Sequence, residues 1–199
     1  MIDIHSHLVP GVDDGSQGLE ESLALLKQAE TEGITEIITT PHYMKNGDFR
    51  TKATELVQRF NKLKEAYQGS IKLHLGNELY IHPDLSELLE QGEILTLAES
   101  ETILVEFPFH EYKEDYDEIL YELSLKYQII IAHPERYAYV QDDPNFCLRW
   151  LKEGYLLQSN QNSLFKKETK KILFSMIEHE FISFIASDAH NEYRFCDLS

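Results

Sequence analysis

Histidine and carboxylate residues recur in this chain at the ends of predicted β-strands, and this repetition constrains the fold more than any other feature. One such cluster could arise by chance, but a series of them is hard to produce without a shared site. The carboxyl ends of parallel strands meet at one edge of a fold, so we expect these side chains to converge. The clusters are Asp3-Ile4-His5-Ser6-His7 with Asp13-Asp14, Thr40-Pro41-His42, Gly76-Asn77-Glu78, Val105-Glu106-Phe107, Ala132-His133-Pro134-Glu135-Arg136 and Ser187-Asp188-Ala189-His190.

Short apolar stretches alternate with amphipathic ones, which predicts repeated βα units and a parallel sheet. Seven strands are predicted, at Met1–His5, Glu36–Thr40, Ile71–Gly76, Thr102–Phe107, Tyr127–Ala132, Tyr155–Ser159 and Phe181–Ala186. Six helices are predicted between them, at Leu19–Glu32, Thr51–Tyr67, Pro83–Gln91, Asp115–Lys126, Asn145–Lys152 and Leu164–Glu178. We therefore predict a single α/β domain over residues 1–199, a distorted (β/α)7 barrel. A closed βα barrel usually needs about 250 residues, so we expect this one either to be small or to lack its C-terminal elements.

Composition and charge exclude several functions. Eighteen Lys and Arg residues against 35 Asp and Glu residues give a net charge of −17, which argues against nucleic-acid binding. The longest apolar runs are only as long as strands, so no membrane insertion is predicted. The N-terminus lacks a basic region followed by an apolar stretch, so no signal peptide is predicted. Two distant cysteines, Cys147 and Cys196, predict no disulfide framework and a reducing cytoplasm.

The first cluster contains a pair of histidines with the spacing of a metal site. His5 and His7 are two residues apart, so on a strand their side chains point to the same face. Two adjacent imidazoles chelate transition metals, whereas a single histidine is more often an ordinary polar residue. Asp13 and Asp14 could simply form a turn and helix cap before Leu19. Beside the histidine pair, one of the two aspartates is predicted to be a ligand.

Two carboxylates end predicted apolar strands and extend the metal hypothesis. Glu78 and Glu106 would be costly if buried without a partner. A buried salt bridge is the alternative for each, but their position facing several histidines favours cations. Mixed histidine and carboxylate ligands are typical of a site for Mn²⁺, Zn²⁺ or Fe, and not of a zinc site built from thiolates.

The full set of predicted ligands is too large for one ion and suits two or three divalent ions. The ligands are His5, His7, Asp14, His42, Glu78, Glu106, His133, Asp188 and His190. Four carboxylates against three divalent ions leave a charge of about +2, which would attract a phosphate dianion. Water bound to such ions would supply hydroxide near neutral pH, and the ions would stabilise charge on phosphorus.

Arg136 follows His133 by three residues and could add a forked contact to phosphate oxygens. A surface ion pair with Glu135 or Asp142 is an equally good interpretation of the sequence.

The motifs resemble those of the polymerase-and-histidinol-phosphatase (PHP) superfamily, and they are most similar to its bacterial protein-tyrosine phosphatases of the capsule and exopolysaccharide type. The residues that carry the resemblance run in order along the whole chain: Asp3-Ile4-His5-Ser6-His7-Leu8-Val9-Pro10-Gly11-Val12-Asp13-Asp14-Gly15-Ser16, Thr39-Thr40-Pro41-His42-Tyr43, Gly76-Asn77-Glu78-Leu79-Tyr80, Ala132-His133-Pro134-Glu135-Arg136-Tyr137 and Ser187-Asp188-Ala189-His190.

The resemblance implies three metal sites. They consist of His5, His7, Glu78 and Asp188; of Glu78, Glu106 and His133; and of Asp14, His42 and His190. It also implies manganese as the usual ion and phosphotyrosine as the substrate, on the tyrosine-rich tail of a bacterial kinase that controls polysaccharide export. By this resemblance Arg136 holds phosphate, and Arg136 and Asp188 are the predicted catalytic residues.

The chemistry of the residues agrees with this resemblance. Neither cysteine has an arginine six residues later, which excludes a cysteine-nucleophile phosphatase. A phenolate, with a pKa near 10, is a tolerable leaving group. Aromatic residues beside the ligands predict a rim for a phenyl ring, with ordinary packing as an equal alternative: Tyr43, Tyr80, Phe107, Phe109 and Tyr137.

The chain departs from the family after the last motif, where relatives usually continue for several elements, and residues 191–199 are too short and irregular for these. We therefore expect a complete set of ligands on an open barrel. Three alternatives remain: a phosphatase for small monoesters such as histidinol phosphate or a nucleotide end, an inactive metal-binding docking protein, and an amidohydrolase. The amidohydrolase would prefer a bridging lysine where this chain has Glu106.

Overall fold

Parallel strands and helices alternate through residues 1–191, which are the residues described by the computed structural model. The strands are β1 (Ile2–Asp3), β2 (Glu36–Thr39), β3 (His42–Tyr43), β4 (Lys72–Leu75), β5 (Glu78–Tyr80), β6 (Thr102–Glu106), β7 (Gln128–Ala132), β8 (Leu156–Asn160) and β9 (Phe184–Ala186). The α-helices are α1 (Leu19–Thr31), α2 (Ala53–Ala66), α3 (Leu85–Glu90), α4 (Asp115–Ser124), α5 (Ala138–Asp142), α6 (Leu148–Lys152) and α7 (Lys167–Glu178). Each predicted strand and helix has a counterpart, and β3, β5 and α5 were not predicted.

The second and third predicted strands are each followed, after a short break, by a further short strand that begins at a predicted ligand. Pro41, which has no backbone N–H to donate to a ladder, separates β2 from β3. Gly76 and Asn77 separate β4 from β5. A Cβ on Gly76 would lie 2.8 Å from Leu97 Cδ2 and 3.1 Å from Leu97 Cα, so glycine permits this close packing. Because of these breaks, β3 and β5 pair in a different sheet from β2 and β4.

All the strand ladders are parallel and form two sheets. The strand orders are β1-β2-β4 and β3-β5-β6-β7-β8-β9. A parallel bridge between Ser6 and Ala189 links the segment after β1 to the segment after β9. It is reinforced by the His7 N–H, which donates to Ala189 O at 2.8 Å, and the Asp188 N–H, which donates to His5 O at 2.9 Å. The predicted parallel α/β architecture is confirmed. Within residues 1–191 the ladders form two sheets, which this bridge joins.

Alternation along the strands separates an inner from an outer apolar layer. Leu104 and Ile130 pack in an inner cluster with Ile4 and Ile38, while the intervening side chains of β6 and β7 pack outward in the larger core. Glu106 follows Leu104 by two residues and therefore continues the inner face at the carboxyl end of β6. The predicted ligands therefore lie above this inner apolar cluster.

The helices cover the outer faces of the sheets with the apolar stripes that the sequence predicted. In α2 the buried residues are Leu56, Phe60 and Leu63, together with Ala53. None of the helices in residues 1–191 is both long and apolar enough to cross a bilayer. Residues 192–199 belong to the C-terminal segment that was expected to be short and irregular, and they lie outside the described part of the chain.

Candidate metal centre

All nine predicted ligands converge at the carboxyl edge of the strands. Four groups of side chains have ligand atoms within 4.8 Å of one another: His7, Asp14, His42 and His190; His5, His7 and Asp188; His5, Glu78 and His133; and His42, Glu78 and Glu106. The groups share members, so they form one continuous centre.

The histidine pair after β1 has the geometry that its spacing predicts. The Nε2 atoms of His5 and His7 are 3.1 Å apart, and both side chains are fully buried. Asp188 Oδ1 lies 3.4 Å from each of these two nitrogens. The three side chains therefore direct a nitrogen or oxygen lone pair toward a common point.

Glu78 lies at the middle of the centre. Its Oε2 atom is 2.8 Å from His42 Nδ1, 3.3 Å from His5 Nε2 and 3.4 Å from His7 Nε2. Its Oε1 atom is 2.9 Å from His133 Nε2. A carboxylate with both oxygens turned to histidines on different strands is suited to bridge two cations, as the resemblance implies for this residue.

The mouth of the centre is formed by Asp14, His42 and His190. Asp14 Oδ1 lies 3.5 Å from His42 Nε2 and 3.4 Å from His190 Nε2. The ring of His7 stacks on His190 at a centroid distance of 3.9 Å. The groupings in the structure differ from the three sites implied by resemblance. His7 also belongs to this outer group, His5 groups with Glu78 and His133, and His42 groups with Glu78 and Glu106.

Several buried polar atoms in the centre have no hydrogen-bond partner among the described residues. They include Glu78 Oε2, Asp188 Oδ1, His42 Nδ1 and His133 Nδ1. Glu78 Oε2 and His42 Nδ1 are nevertheless only 2.8 Å apart. Buried polar atoms normally have a hydrogen-bond partner, so these atoms call for another kind of partner. They are imidazole nitrogens and carboxylate oxygens, which are ligand atoms for divalent transition-metal ions.

The crowding of charge in the centre shifts several pKa values. Burial, together with the charge of Glu78, raises the pKa of Glu106 to about 8. Burial beside Arg136 lowers the pKa of His133 to about 4, although Glu78 opposes the shift. Burial also disfavours the charged form of His5, but the charges of Glu78 and Asp188 outweigh it and raise the pKa of His5. Bound cations would take over the role that protons play in balancing these carboxylates.

The residues alone did not decide whether Asp13 or Asp14 is a ligand. In the structure Asp13 accepts hydrogen bonds from His7 and His42, on the side away from the mouth of the centre. His7 Nδ1 donates to Asp13 Oδ2 at 2.7 Å, and the backbone N–H of His42 donates to the same oxygen at 2.9 Å. The loop folds back so closely that a Cβ on Gly15 would lie 2.3 Å from His7 O. The neighbouring aspartates thus face different ways, and Asp14 is the one directed at the mouth.

Gln158 and Asn160 are residues of the site that the sequence interpretation missed. Gln158 Oε1 lies 2.7 Å from His5 Nδ1, and Asn160 Nδ2 donates to Asp188 Oδ2 at 2.5 Å. The sequence feature that could have identified them is the run of polar residues at the end of an apolar strand. No histidine or acid marked that strand, so it had no cluster.

Arg136 lies at the edge of the centre. Its Nη1 donates to Asp188 Oδ2 at 3.1 Å, and its Cζ lies 4.7 Å from the centroid of the Phe109 ring. Glu135, one of the two alternative partners, is instead buried and accepts hydrogen bonds from Asn160 N and Ser163 Oγ. The structure therefore places the guanidinium beside a predicted ligand.

The predicted aromatic rim is only partly present. Three of its five members are core residues: Tyr43, Phe107 and Tyr137. For these, the packing alternative is correct. Tyr80 and Phe109 are partly exposed, and Phe109 lies 5.9 Å from the ring of His133. Phe49, which was not predicted, is also partly exposed and stacks on His42 at 5.7 Å with an interplanar angle of 13°.

Sequence comparisons connect the chain to a set of bacterial proteins. A family described as "Capsular polysaccharide synthesis, CpsB/CapC" matches residues 1–196. The tyrosine-protein phosphatase YwqE of Bacillus subtilis (strain 168) is 33% identical over 198 residues, which cover 96% of this chain and 78% of YwqE. The tyrosine-protein phosphatase CpsB of Streptococcus pneumoniae is 32% identical over 203 residues, with coverage of 96% and 83%.

Solved structures support the same relationship. A structure from work on YwqE and CpsB, described as unique metal-dependent tyrosine phosphatases, matches with a TM-score of 0.90 and 32% identity. The match covers 98% of this chain and 82% of that one. A putative histidinol phosphatase from Listeria monocytogenes matches with a TM-score of 0.58 at 16% identity, covering 98% and 97%, which shows a shared fold. The resemblance drawn from the motifs is confirmed, and the chain belongs to the CpsB/CapC family of capsular polysaccharide synthesis proteins.

Proposed function

We propose that this chain is a metal-dependent protein-tyrosine phosphatase acting as one domain. The observation that carries the proposal is the convergence of histidine and carboxylate ligand atoms within 4.8 Å of one another, in a family whose relatives are named tyrosine-protein phosphatases. Bound divalent ions would supply hydroxide for attack on phosphorus near neutral pH and would neutralise the developing negative charge.

The nine predicted ligands are proposed to hold two or three ions, with Glu78 as a bridge. The described geometry supports this because Glu78 turns one oxygen to His42 and the other to His133. Mn²⁺ is the proposed ion, on resemblance, and Zn²⁺ and Fe are the alternatives that the same ligand types would accept.

Arg136 and Asp188 are proposed to act on the substrate side of the centre. Arg136 retains 31% exposure of its side chain, so its guanidinium can meet a phosphate that enters from solvent. Its planar fork matches two phosphate oxygens. Asp188 orients the guanidinium with Oδ2 and turns Oδ1 to the histidine pair.

The structure argues against a nucleophilic role for Cys147, the one cysteine within residues 1–191. Cys147 is fully buried, and burial raises the pKa of its thiol to about 12. A thiol in this environment stays protonated at neutral pH and is a poor nucleophile.

The proposed substrate is a phosphotyrosine protein, and the proposed partner is the tail of a bacterial tyrosine kinase in polysaccharide synthesis or export. The family description, capsular polysaccharide synthesis, supports this assignment. A cytoplasmic location is proposed with it, since such a tail would be phosphorylated there.

The test is turnover of a phosphotyrosine peptide with and without Mn²⁺. We expect Mn²⁺-dependent release of phosphate, its loss with a chelator, and its loss in His5→Ala and Asp188→Ala. Comparing kcat/KM on the peptide and on an alkyl monoester such as histidinol phosphate separates the two phosphatase assignments. Binding of the phosphopeptide without release of phosphate would instead support the docking-protein alternative.

A further inference from the structure

Two buried amide side chains at the end of β8 connect one proposed ligand to another. Gln158 and Asn160 are 0% and 5% exposed. They are two residues apart on the strand, so they share a face with Leu156, which packs against the inner cluster. A buried amide that lacked partners would destabilise the fold, and both of these amides find their partners in the metal centre.

The hydrogen bonds among these side chains run in one direction. Asn160 Nδ2 contacts Asp188 Oδ2 at 2.5 Å, and Gln158 Nε2 donates to Asn160 Oδ1 at 3.0 Å. A carboxylate only accepts, so Asn160 must present its NH₂ to Asp188 and its oxygen to Gln158. Gln158 must then present its own oxygen to His5 Nδ1, 2.7 Å away. The proton of the neutral imidazole is therefore on Nδ1.

This arrangement leaves the metal-facing atoms free. With the proton on Nδ1, the Nε2 atom of His5 carries a lone pair and lies 3.4 Å from Asp188 Oδ1. The other oxygen of Asp188, Oδ2, already accepts from Asn160 and Arg136. Histidine ligands generally donate their second ring N–H to an acceptor that sets their tautomer and orientation, and an amide oxygen has that role here.

The end of β8 is itself held in place. The backbone N–H of Asn160 donates to Glu135 Oε1 at 2.8 Å, and Ser163 Oγ donates to the same oxygen at 2.7 Å. The short helical turn Pro134–Arg136 carries Glu135. The two amides are thus fixed to the segment that also carries Arg136, which restricts how far they can move relative to the centre.

We propose that Gln158 and Asn160 are positioning residues for the metal centre. Together they hold His5 in the tautomer whose Nε2 binds a cation, and they turn Asp188 Oδ1 toward the same cation. This inference rests on the proposed function, since it requires cations at the centre. Neither amide is among the proposed ligands, so their effect on the chemistry passes through His5 and Asp188.

The test compares the Mn²⁺ affinity of Gln158→Leu and Gln158→Glu, measured by calorimetry. Gln158→Leu removes the acceptor for His5 Nδ1, and we expect affinity to fall by about 10- to 100-fold. Gln158→Glu keeps an acceptor at that position, so its affinity should stay closer to that of the unmodified protein. A residue that only packs predicts the reverse order, because a buried leucine is tolerated better than a buried carboxylate.

A matched control is Gln128→Leu, at the amino end of β7, where Gln128 Nε2 donates to Gly154 O. It should leave Mn²⁺ affinity unchanged. A second readout is ¹⁵N NMR of the Zn²⁺-loaded, unmodified protein, which should show the proton of His5 on Nδ1. This measurement decides the tautomer even if Gln158→Leu fails to fold.

The outcomes separate this inference from the proposed function. If the unmodified protein binds no divalent ion, the proposed function fails. If the unmodified protein binds Mn²⁺ and hydrolyses phosphotyrosine, but Gln158→Leu matches it in affinity, only the positioning role of Gln158 is wrong. A proton on His5 Nε2 in the Zn²⁺-loaded protein would also overturn it.

Discussion

His7 Nδ1 donates a hydrogen bond to Asp13 Oδ2 at 2.7 Å, while the adjacent aspartate, Asp14, turns its carboxylate to His190 at the mouth of the centre. Two consecutive residues of the same type thereby have different roles. Asp13 orients a proposed ligand, whereas Asp14, whose side chain is 49% exposed, is a proposed ligand itself.

Replacing Asp13 should weaken metal binding without removing a ligand. In Asp13→Asn the amide can offer its oxygen to His7 Nδ1, but a neutral amide oxygen is a weaker acceptor than a carboxylate and raises the basicity of the ligand nitrogen less. We expect Mn²⁺ affinity to fall by about tenfold, at the low end of the range for such partners. Asp13→Ala should fall further. Calorimetric titration with Mn²⁺ checks this order, and equal affinities for the two variants would contradict the role of Asp13.

Replacing Arg136 should affect turnover more than metal binding. We expect Arg136→Lys and Arg136→Ala to lower kcat/KM on a phosphotyrosine peptide by roughly 10²-fold. The ammonium of lysine cannot form the forked contact, and alanine has no charged group at all. Arg149→Lys is a control, since Arg149 pairs with Asp117 and lies over the ring of Tyr112 instead. If Arg136→Lys has the activity of the unmodified protein, the forked contact to phosphate is not formed.

Removal of the metal should destabilise the protein. Cations bound only to the folded state at about 100 times their Kd add about 2.7 kcal/mol, which corresponds to roughly 5–10 °C in Tm for a chain of this size. Thermal unfolding with Mn²⁺ and with excess chelator measures the difference. Glu78→Gln removes the proposed bridge and should abolish most of the shift, and a full shift in that variant would argue against bridging.

The stabilisation by metal should increase with pH. The pKa values of His5 and His42 are raised in the metal-free protein: burial lowers them, but the charge of Glu78 outweighs it. Protonation of these imidazoles therefore stabilises the metal-free fold at low pH, and that contribution is lost as the pH rises through the raised pKa values. Cations need the neutral rings. The difference in Tm between the loaded and chelated protein should thus grow from about pH 6 to about pH 8, and a constant difference would contradict the competition.

Phe49 and Phe109 should favour an aromatic substrate. They stand beside His42 and His133 and are partly exposed, so a phenyl ring entering the mouth can pack against them. We expect Phe109→Ala to lower kcat/KM on a phosphotyrosine peptide by about 3- to 10-fold and to leave turnover of a small alkyl phosphate nearly unchanged. Phe174→Ala, on the exposed side of α7, is the control. An equal loss on both substrates would show that Phe109 only supports the structure.

The aromatic residues show where sequence interpretation stops. Tyr43 and Phe109 both stand within a few positions of a predicted ligand, and nothing in their local sequence separates them. Tyr43 is 5% exposed and packs in the core, whereas Phe109 faces the mouth beside Arg136. The difference depends on what the rest of the fold places around each ring.

Local patterns in the sequence alone determined the parallel α/β architecture and the residues that gather at its carboxyl edge. Strand-length apolar runs, amphipathic stretches and the spacing of His5 and His7 express short-range geometry, so they can be interpreted without knowing the fold. The tertiary structure alone decided which ligand atoms share a neighbour, which aspartate faces the mouth, and which amides hold the ligands. His5 and Gln158 are 153 residues apart in the chain, and their contact exists because the register of separate parallel strands places both ends in one layer.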